Sequence, residues 1–148
     1  MLKKKLDKSS LVCTKHISVS SNGFTDIIDI TNQVESAVVS ARINEGLVTV
    51  FVPGSTAGIT TVEYESGLIE DLKEMFERLA PSNITYHHDA RWGDGNGSAH
   101  VRAALLGAEK TFPFSDGRLT LGTWQQIILI DFDNRPRSRK IILKIVGV

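Results

Sequence analysis

The clearest β-strand in this protein is predicted for the segment Trp124-Gln125-Gln126-Ile127-Ile128-Leu129-Ile130-Asp131-Phe132. Its centre is an uninterrupted run of branched apolar residues, a composition that favours a strand. Residues 133–138, which follow it, have the composition of a turn, and residues 139–146 return as a last strand. The end of the chain therefore predicts neighbouring strands that run antiparallel to each other.

Further elements are predicted on the N-terminal side of this strand. Residues 31–46 and 66–79 carry apolar side chains at helical spacing, and residues 98–106 predict a shorter helix. Residues 47–52 are almost continuously apolar, so we expect a strand that is covered on both faces. The predicted fold is α/β (α+β), with a mixed, largely antiparallel sheet, two main helices and one short helix. The remaining strands are predicted at residues 11–20 and 24–30, as a hairpin, and at residues 59–65, 84–87 and 111–114.

The composition predicts one globular domain spanning residues 1–148. Hydrophobic residues make up 41% of the chain and charged residues 23%, which excludes a disordered protein. Lys+Arg and Asp+Glu are equal at 17 each, so the charge provides no reason to expect nucleic-acid or membrane binding. Cys13 is the only cysteine, and the basic N-terminus lacks the apolar segment of a secretory signal. We expect a cytoplasmic protein.

Three of the four histidines lie in one polar stretch, residues 86–100 (Tyr-His-His-Asp-Ala-Arg-Trp-Gly-Asp-Gly-Asn-Gly-Ser-Ala-His). No apolar period runs through it, and loops this rich in polar and glycine residues often carry binding or catalytic groups. We interpret the stretch as the floor of a metal or anion site. The alternative is a surface loop with hydrated histidines.

A divalent metal, Zn or Mg, is one occupant that this stretch favours. His88 and His100, with a carboxylate such as Glu63, would supply the two-histidine, one-carboxylate set of open zinc sites. The same two imidazoles, with Glu63 or Asp89, could instead act as general acid and base. A calcium loop beginning at Asp94 is excluded, because its sixth position is Ala99 and no glutamate closes it.

A phosphorylated small molecule is the second occupant that we expect. The predicted helix beginning at Ser98 would direct free N–H groups towards an anion, and Arg102 lies near the same end. Gln125 could hydrogen-bond a ligand or satisfy buried backbone. The residues assigned to this ligand are Arg102, Gly95, Asn96, Gly97, Ser98 and Gln125.

Two other segments allow an anion site but have a simpler interpretation. Residues 53–58 (Pro-Gly-Ser-Thr-Ala-Gly) contain glycines and hydroxyls that could surround an anion, yet the phosphate-loop motif is absent and a turn between strands is sufficient. The basic segment at residues 135–140 contains Arg135, Arg137, Arg139 and Lys140. A solvated hairpin end is favoured there over contact with phosphate or with another subunit.

Three segments together resemble one known family. They are residues 46–57 (Gly-Leu-Val-Thr-Val-Phe-Val-Pro-Gly-Ser-Thr-Ala), residues 89–97 around Arg-Trp-Gly-Asp-Gly-Asn-Gly, and residues 118–125, which end in Gly-Thr-Trp-Gln. They closely resemble the YjbQ-like family, and the resemblance covers nearly the whole chain. The resemblance implies a compact α/β sandwich and a homotrimer. The positions that match the family are Glu63, His88, Asp89, His100, Thr123, Trp124 and Gln125.

The resemblance also suggests an activity, because members of the family are often labelled secondary thiamine-phosphate synthase. This label implies a transferase that joins a pyrimidine diphosphate to a thiazole phosphate, as a weak or secondary activity. The alternatives are a non-catalytic trimeric module that binds a metal or a small phosphorylated ligand, and a metal-dependent hydrolase of phosphate esters. Many members carry a histidine where this chain has Gly54. If that histidine is a metal ligand in those members, this chain has one ligand fewer, and His87 could substitute for it. For Trp124, packing in the core or at a subunit interface is favoured over stacking on a substrate.

Overall fold

The apolar run at residues 127–130 forms the centre of strand β7 (Gln126–Asp131), and all four side chains are completely buried. Successive side chains of a strand point to opposite faces of the sheet. Ile127 and Leu129 accordingly enter one hydrophobic core, whereas Ile128 and Ile130 enter a second one. The strand is therefore covered on both sides, which explains why the run contains no polar residue.

The computed structural model describes residues 10–148. The strands are β1 (Leu11–Ser21), β2 (Asp26–Asp29), β3 (Gly46–Phe51), β4 (Ala57–Val62), β5 (Glu109–Ser115), β6 (Arg118–Leu119), β7 and β8 (Arg137–Gly147). The helices are α1 (Thr31–Ala41), α2 (Ser66–Leu79), α3 (His87–Trp92) and α4 (Gly97–Leu106). None of these helices has both the length and the apolar character needed to cross a membrane.

The strands form two sheets. One sheet has five strands in the order β1-β8-β3-β5-β6, and the other has three in the order β2-β7-β4. Every strand pair is antiparallel. The predicted α/β (α+β) sandwich with a largely antiparallel sheet is confirmed, although residues 10–148 contain four helices instead of the expected three.

The two hydrophobic cores define the layers of the molecule. The larger core lies between the inner face of the five-stranded sheet, helix α1 and one face of the three-stranded sheet. The smaller core lies on the other face of the three-stranded sheet, where α2 and α4 contribute Phe76, Ala99 and Ala103. The three-stranded sheet is thus the middle layer, and helix α4 is held against it.

The predicted hairpin at the start of the chain is wrong. β1 pairs with β8 in the larger sheet, whereas β2 pairs with β7 in the smaller one. Between them, Gly23, Phe24 and Thr25 all adopt positive φ angles of 73°, 55° and 62°. The Phe24 N–H donates to the Asp133 carbonyl at 2.6 Å. This bend directs the chain from one sheet to the other, so the two strands cannot pair with each other.

Two other expectations are corrected around β3. Helix α1 ends at Ala41 and not near Gly46, because Arg42 adopts a left-handed conformation that stops it. β3 is covered on one face only: Val48 and Val50 are buried, whereas Leu47 is 52% exposed.

Apolar side chains lie opposite each other on the outer face of the five-stranded sheet. Val12, Val146, Leu47 and Pro113 occupy directly paired positions on four neighbouring strands, and we call them the outer apolar row. Val12 is 66% exposed and Val146 is 41% exposed. A contiguous exposed apolar patch often marks a surface that contacts another protein.

We expect Leu129→Ala to destabilise the protein by about 2–5 kcal/mol, because it removes buried methyl groups and leaves a cavity in the larger core. Leu105→Ala is the matched control. Its side chain is 62% exposed, so it should change the free energy of unfolding by no more than about 0.5 kcal/mol. Urea unfolding followed by circular dichroism measures both. Equal changes in the free energy of unfolding for the two substitutions would contradict the burial of β7 on both of its faces.

Candidate functional site

A buried network of carboxylates and guanidinium groups lies at the end of β7. Asp131 and Asp133 have no solvent-exposed surface. Arg139 holds Asp131 with two hydrogen bonds of 2.7 Å, from Nε to Oδ2 and from Nη2 to Oδ1. The Ser21 hydroxyl donates to the same carboxylate at 2.6 Å. A buried carboxylate needs such partners, because an isolated charge in the core is very costly.

Asp133 connects this network to the loops around it. Arg137 donates to Asp133 Oδ2 from Nε at 2.7 Å and lies within 2.6 Å through Nη2. The Thr56 hydroxyl, from the loop after β3, donates to Oδ2 at 3.2 Å, and Asn96 Nδ2 donates to Oδ1 at 3.3 Å. The segment preceding α4 and the loop preceding β4 are thereby held at the same end of β7.

The network determines the charge state of both aspartates. Burial alone would raise the pKa of Asp131, but hydrogen bonds from Arg139, Ser21 and the Asp133 N–H outweigh it, so the pKa lies below its ordinary value. Burial also opposes ionisation of Asp133. Hydrogen bonds from Arg137, the Asn134 N–H and Asn96 lower the pKa of Asp133 in the same way. Both groups are therefore carboxylates at neutral pH.

The strand predicted at residues 84–87 is not formed: residues 84–86 belong to neither a helix nor a strand, and a short helix begins at His87. Helix α3 begins at His87 and ends before Gly93, whose φ of 71° stops it. A strand would have placed His87 and His88 on opposite faces, but the helical turn leaves His87 exposed and His88 half-buried. The strand was predicted from β-branched residues, and packing of this segment against α4 overrides that local preference.

Asp89 links α3 to α4. Its Oδ1 atom accepts the backbone N–H of Gly97, the first residue of α4, at 2.7 Å. A Cβ atom on Gly97 would lie 2.5 Å from Tyr86 Cβ, so only glycine allows this close approach. Asn134 Nδ2 donates to the Asp94 carbonyl at 2.8 Å and fixes the intervening loop.

His88, Asp89 and Asp94 converge at this junction. Within residues 10–148, they are the only group of three or more metal-ligand side chains whose ligand atoms all lie within 4.8 Å of one another. His88 Nδ1 lies 3.3 Å from Asp94 Oδ1 and 3.7 Å from Asp89 Oδ1. The atom is shielded from solvent and makes no aligned hydrogen bond with any described residue. His88 and Asp89 were predicted site residues, whereas Asp94 was considered as a ligand only in the calcium loop that was excluded.

His100 lies beside His88, in the first turn of α4. The two imidazole rings have centroids 4.3 Å apart and are tilted by 36°. His100 also lines a cavity of about 330 Å³ together with Gly54, Ser55, Ala57 and small residues of α4 and the loop that follows it. The two histidines predicted to act together are thus adjacent, with His88 facing the carboxylates and His100 facing the cavity.

Most residues assigned to the phosphorylated ligand line a different cavity. Gly95, Asn96, Ser98 and Arg102 lie around a space of about 350 Å³ near Phe132, and His100 is not part of its lining. Gly97 lies outside it, and its N–H is already bonded to Asp89.

Arg102 itself is 4% exposed and serves mainly to hold α4 against α2. Its guanidinium donates to the Ala80 carbonyl twice, to Glu77 at 2.6 Å and to Thr25 at 2.9 Å. These four bonds leave one of its five N–H groups for a ligand.

Glu63 and Gln125 are not brought to the histidines within one chain. Glu63 follows Val62, which pairs with Gln126, whereas the histidines lie near the opposite end of β7. Five residues of strand separate these ends, a distance of about 17 Å. The shared site of His88, His100 and Glu63 predicted from sequence is therefore corrected for a single chain, because sequence contains no information about which end of a strand a distant loop reaches.

Gln125 and Trp124 lie in the loop that precedes β7. Gln125 donates to the Thr61 hydroxyl at 3.3 Å and accepts the Gly122 N–H at 3.2 Å. Trp124 is 73% exposed, so the core packing proposed for it does not occur within the chain.

Sequence reasoning missed the roles of Asp131 and Asp133. A signal was present, because these aspartates are two residues apart at the end of a buried strand, and residues at this spacing face the same side. The arginines at positions 137 and 139 repeat that spacing in β8. The ion pairs between the two segments were not inferred, because the basic turn was interpreted as a solvated hairpin end. That hairpin is wrong, since β7 and β8 belong to different sheets and their strands do not pair with each other.

Comparison with known proteins identifies similar sequences and structures. The family described as UPF0047 protein YjbQ-like matches residues 15–148. A UPF0047 protein of Archaeoglobus fulgidus is 44% identical over 119 residues, which are 80% of this chain and 90% of that protein. A crystal structure of a YbjQ-like protein of unknown function from Sulfolobus solfataricus is 36% identical, with a TM-score of 0.89 over 95% of this chain and 100% of that one. A hypothetical protein from Aeropyrum pernix is 30% identical, with a TM-score of 0.84 over 91% and 98% of the two chains.

We expect the stability of the protein to fall as the pH drops below about 3.8, the ordinary pKa of an aspartate, because the folded-state pKa values of Asp131 and Asp133 are lower still. Their contribution is complete above that pH and is lost as the pH falls through the folded-state values. Asp131→Asn should cost about 3–5 kcal/mol at pH 7, since it leaves Arg139 without its charged partner, and the difference from wild type should shrink in acid. Urea unfolding between pH 2 and pH 7 measures this. Asp71→Asn, at an exposed position of α2, is the control, and an equal effect of the two substitutions would contradict the assignment.

Proposed function

The chain belongs to the YjbQ-like UPF0047 protein family, and we propose that it performs metal-dependent chemistry on a small phosphorylated molecule. The observation that carries the proposal is the convergence of His88, Asp89 and Asp94 on one point. The specific reaction that we propose is of the thiamine-phosphate-synthase type.

The ligand spacing fits a small divalent cation. Zinc binds imidazole nitrogen and carboxylate oxygen at about 2.0–2.2 Å, so two ligands of a tetrahedral ion lie about 3.3–3.6 Å apart. The separations of 3.3 Å and 3.7 Å between His88 Nδ1 and the two carboxylates agree with this value. A direct hydrogen bond would instead align the His88 N–H with one oxygen, and no such alignment exists among the described residues. Asp94 is 48% exposed, which leaves a side open to substrate or water.

The three metal ligands and the neighbouring His100 have different proposed roles. His88, Asp89 and Asp94 hold the metal, which when bound would stabilise negative charge on phosphate oxygens. Asp89 also positions α4 through the Gly97 N–H. His100 faces the cavity next to His88, and we propose that it exchanges a proton with the substrate as general acid or base.

In the transferase reaction, the thiazole nitrogen attacks the methylene carbon of the pyrimidine diphosphate. A carbon–nitrogen bond forms, the carbon–oxygen bond to the diphosphate breaks, and pyrophosphate leaves with the bonding electrons. His100 would donate a proton to the departing oxygen. Support for this reaction comes from the family resemblance, and the adjacent metal ligands and imidazole are groups that such a leaving group requires.

Hydrolysis of a phosphate ester is the second candidate. The partly exposed Asp94 and the position of the cluster at the surface favour it, because water can reach a metal held there. In that reaction water attacks phosphorus, the ester bond breaks and inorganic phosphate is released.

The cytoplasm is the proposed cellular location of the protein, since a chain with one half-buried cysteine suits a reducing compartment.

We also propose that the protein is a homotrimer, as the resemblance implies. The outer apolar row of Val12, Val146, Leu47 and Pro113 supports self-association, because an exposed apolar row of this kind is stabilised when another chain covers it.

We expect the purified protein to contain a divalent metal close to one ion per chain, as measured by inductively coupled plasma mass spectrometry. His88→Ala should lose most of this metal, because the two remaining ligands, Asp89 and Asp94, cannot replace the missing imidazole. His87→Ala is the matched control, since His87 is the exposed neighbour in the same helix and should retain the ion. Equal metal content in His88→Ala and wild type would overturn the proposed centre.

Turnover by the metal-loaded protein separates the two reactions. Formation of thiamine phosphate with release of pyrophosphate supports the transferase, whereas release of inorganic phosphate from esters supports the hydrolase. In either case, His100→Ala should retain the metal and lose about 10²–10⁴-fold in rate, the usual contribution of general acid–base catalysis. Metal binding without turnover on any substrate would support the non-catalytic binding module.

Light scattering after size-exclusion chromatography should give a mass of about 49 kDa, three times the 16.3 kDa of one chain. Leu47→Glu should reduce this mass, because it places a charge in the outer apolar row. Leu105→Glu, at a position on α4 that is also exposed, is the control. A single-chain mass for the wild-type protein would contradict the trimer.

A further inference from the structure

The guanidinium group of Arg139 uses only part of its hydrogen-bonding capacity inside the protein. Nε and Nη2 bind Asp131, and Nη2 also donates to the Thr56 hydroxyl at 2.8 Å. Among residues 10–148, no acceptor receives a hydrogen bond from Nη1, which carries two N–H groups. The side chain is only 11% exposed, so its unused nitrogen is held in one orientation by the buried network.

That nitrogen lies against the loop between β3 and β4. A Cβ atom on Gly54 would lie 3.4 Å from Arg139 Nη1, and no other heavy atom outside the adjoining residues would be within 4 Å of it. Gly54 has a φ of 116°, a conformation that side chains with a Cβ rarely adopt. Glycine therefore leaves the space in front of Nη1 open.

The same loop presents its own N–H groups. Within the described part of the chain, the backbone N–H groups of Gly54, Ser55 and Thr56 donate no hydrogen bond, and neither does the Ser55 hydroxyl. Successive backbone N–H groups without acceptors form the concave sites in which proteins bind anions. This is the segment whose sequence allowed either a turn or an anion site.

Gly54 and Ser55 also line the cavity of about 330 Å³ that His100 enters. Its other walls are mainly small residues, namely Ala57, Ala103, Ala104, Gly107 and Ala108. Nothing in this lining carries a negative charge, and Asp131 is already neutralised by Arg139. An anion bound at the loop would thus lie next to His100 without facing an uncompensated carboxylate.

We infer that the loop at residues 53–56 and Arg139 Nη1 bind the phosphoryl group of the substrate beside His100. The inference rests on the proposed function, and it moves the phosphate from the cavity of Arg102 and Ser98 to the cavity of His100. Arg102 has one unused N–H group and Glu77 bound to it. Arg139 has two unused N–H groups on a nitrogen beside Gly54, the first residue of a segment with three backbone N–H donors. Charge-assisted hydrogen bonds from several donors are the usual means of binding phosphate.

Titration calorimetry of inorganic phosphate into EDTA-treated protein tests this site without any metal. Wild-type protein should bind phosphate saturably, and Ser55→Ala should weaken the affinity about tenfold, the effect of losing one hydrogen bond to a charged group. Gly54→Ala should weaken it at least as much, because the added methyl group fills the space in front of Nη1. Ser98→Ala is the matched control, since the Ser98 hydroxyl also makes no hydrogen bond to a described residue but lines the other cavity.

Two results would overturn the inference. One is the absence of saturable phosphate binding by folded wild-type protein, and the other is a loss of affinity in Ser98→Ala with none in Ser55→Ala. Circular dichroism spectra establish that each variant is folded before it is titrated. Since the titration uses metal-free protein, a failed metal assignment at His88 leaves its outcome interpretable, and a failed phosphate site leaves the metal analysis unaffected.

Discussion

The pairing of Asp131 with Arg139 is the interaction on which the arrangement of this protein most depends. A carboxylate with no solvent contact stays ionised only where donors replace water, and here the guanidinium, a hydroxyl and a backbone N–H do so. These donors belong to β8, β1 and the segment after β7. The pair therefore requires the two sheets to meet at this end of the molecule, and Asp133 extends the requirement to the loops before β4 and α4.

The candidate site is a consequence of the same requirement. The Asp133 network holds Asn96, which precedes α4, and Asp89 binds the first N–H group of that helix. The short helix α3 therefore lies next to the start of α4, and this brings His88 beside His100. The cluster of His88, Asp89 and Asp94 and the cavity of His100 lie on either side of this histidine pair. The proposed metal and the proposed phosphoryl group would lie within reach of one imidazole, which is the arrangement that phosphate chemistry needs.

The family motifs divide into two groups in the folded chain. His88, Asp89 and His100 lie at one end of β7, while Glu63, Trp124 and Gln125 lie at the other. The exposed indole of Trp124 and the outer apolar row are unusual on a protein surface, and both belong to faces that the chain itself does not cover. The buried aspartates, by contrast, were in no segment considered as a site, and their partners Arg137 and Arg139 were considered only as part of a solvated basic turn.

Local sequence was sufficient for elements whose signal is contained within them. Helix α2 was predicted at its observed bounds because its apolar stripe belongs to one continuous segment. The histidine stretch was likewise recognised as a candidate site from its residue types alone. The two apolar runs differed in outcome: residues 127–130 are covered on both faces, but β3 is covered on one only, because coverage depends on which layers lie above and below.

By itself, the sequence determined the fold class, most of the strands and helices, and the stretch that holds three of the four histidines. Hydrophobic periodicity and residue chemistry act over a few neighbours, and they are therefore visible along the chain. Only the tertiary structure decided that β1 and β2 enter different sheets, that Glu63 lies away from the histidines, and that Asp94 joins His88. These outcomes depend on contacts between residues distant in sequence, and such contacts are selected by the packing of whole layers and by the partners that buried charges require.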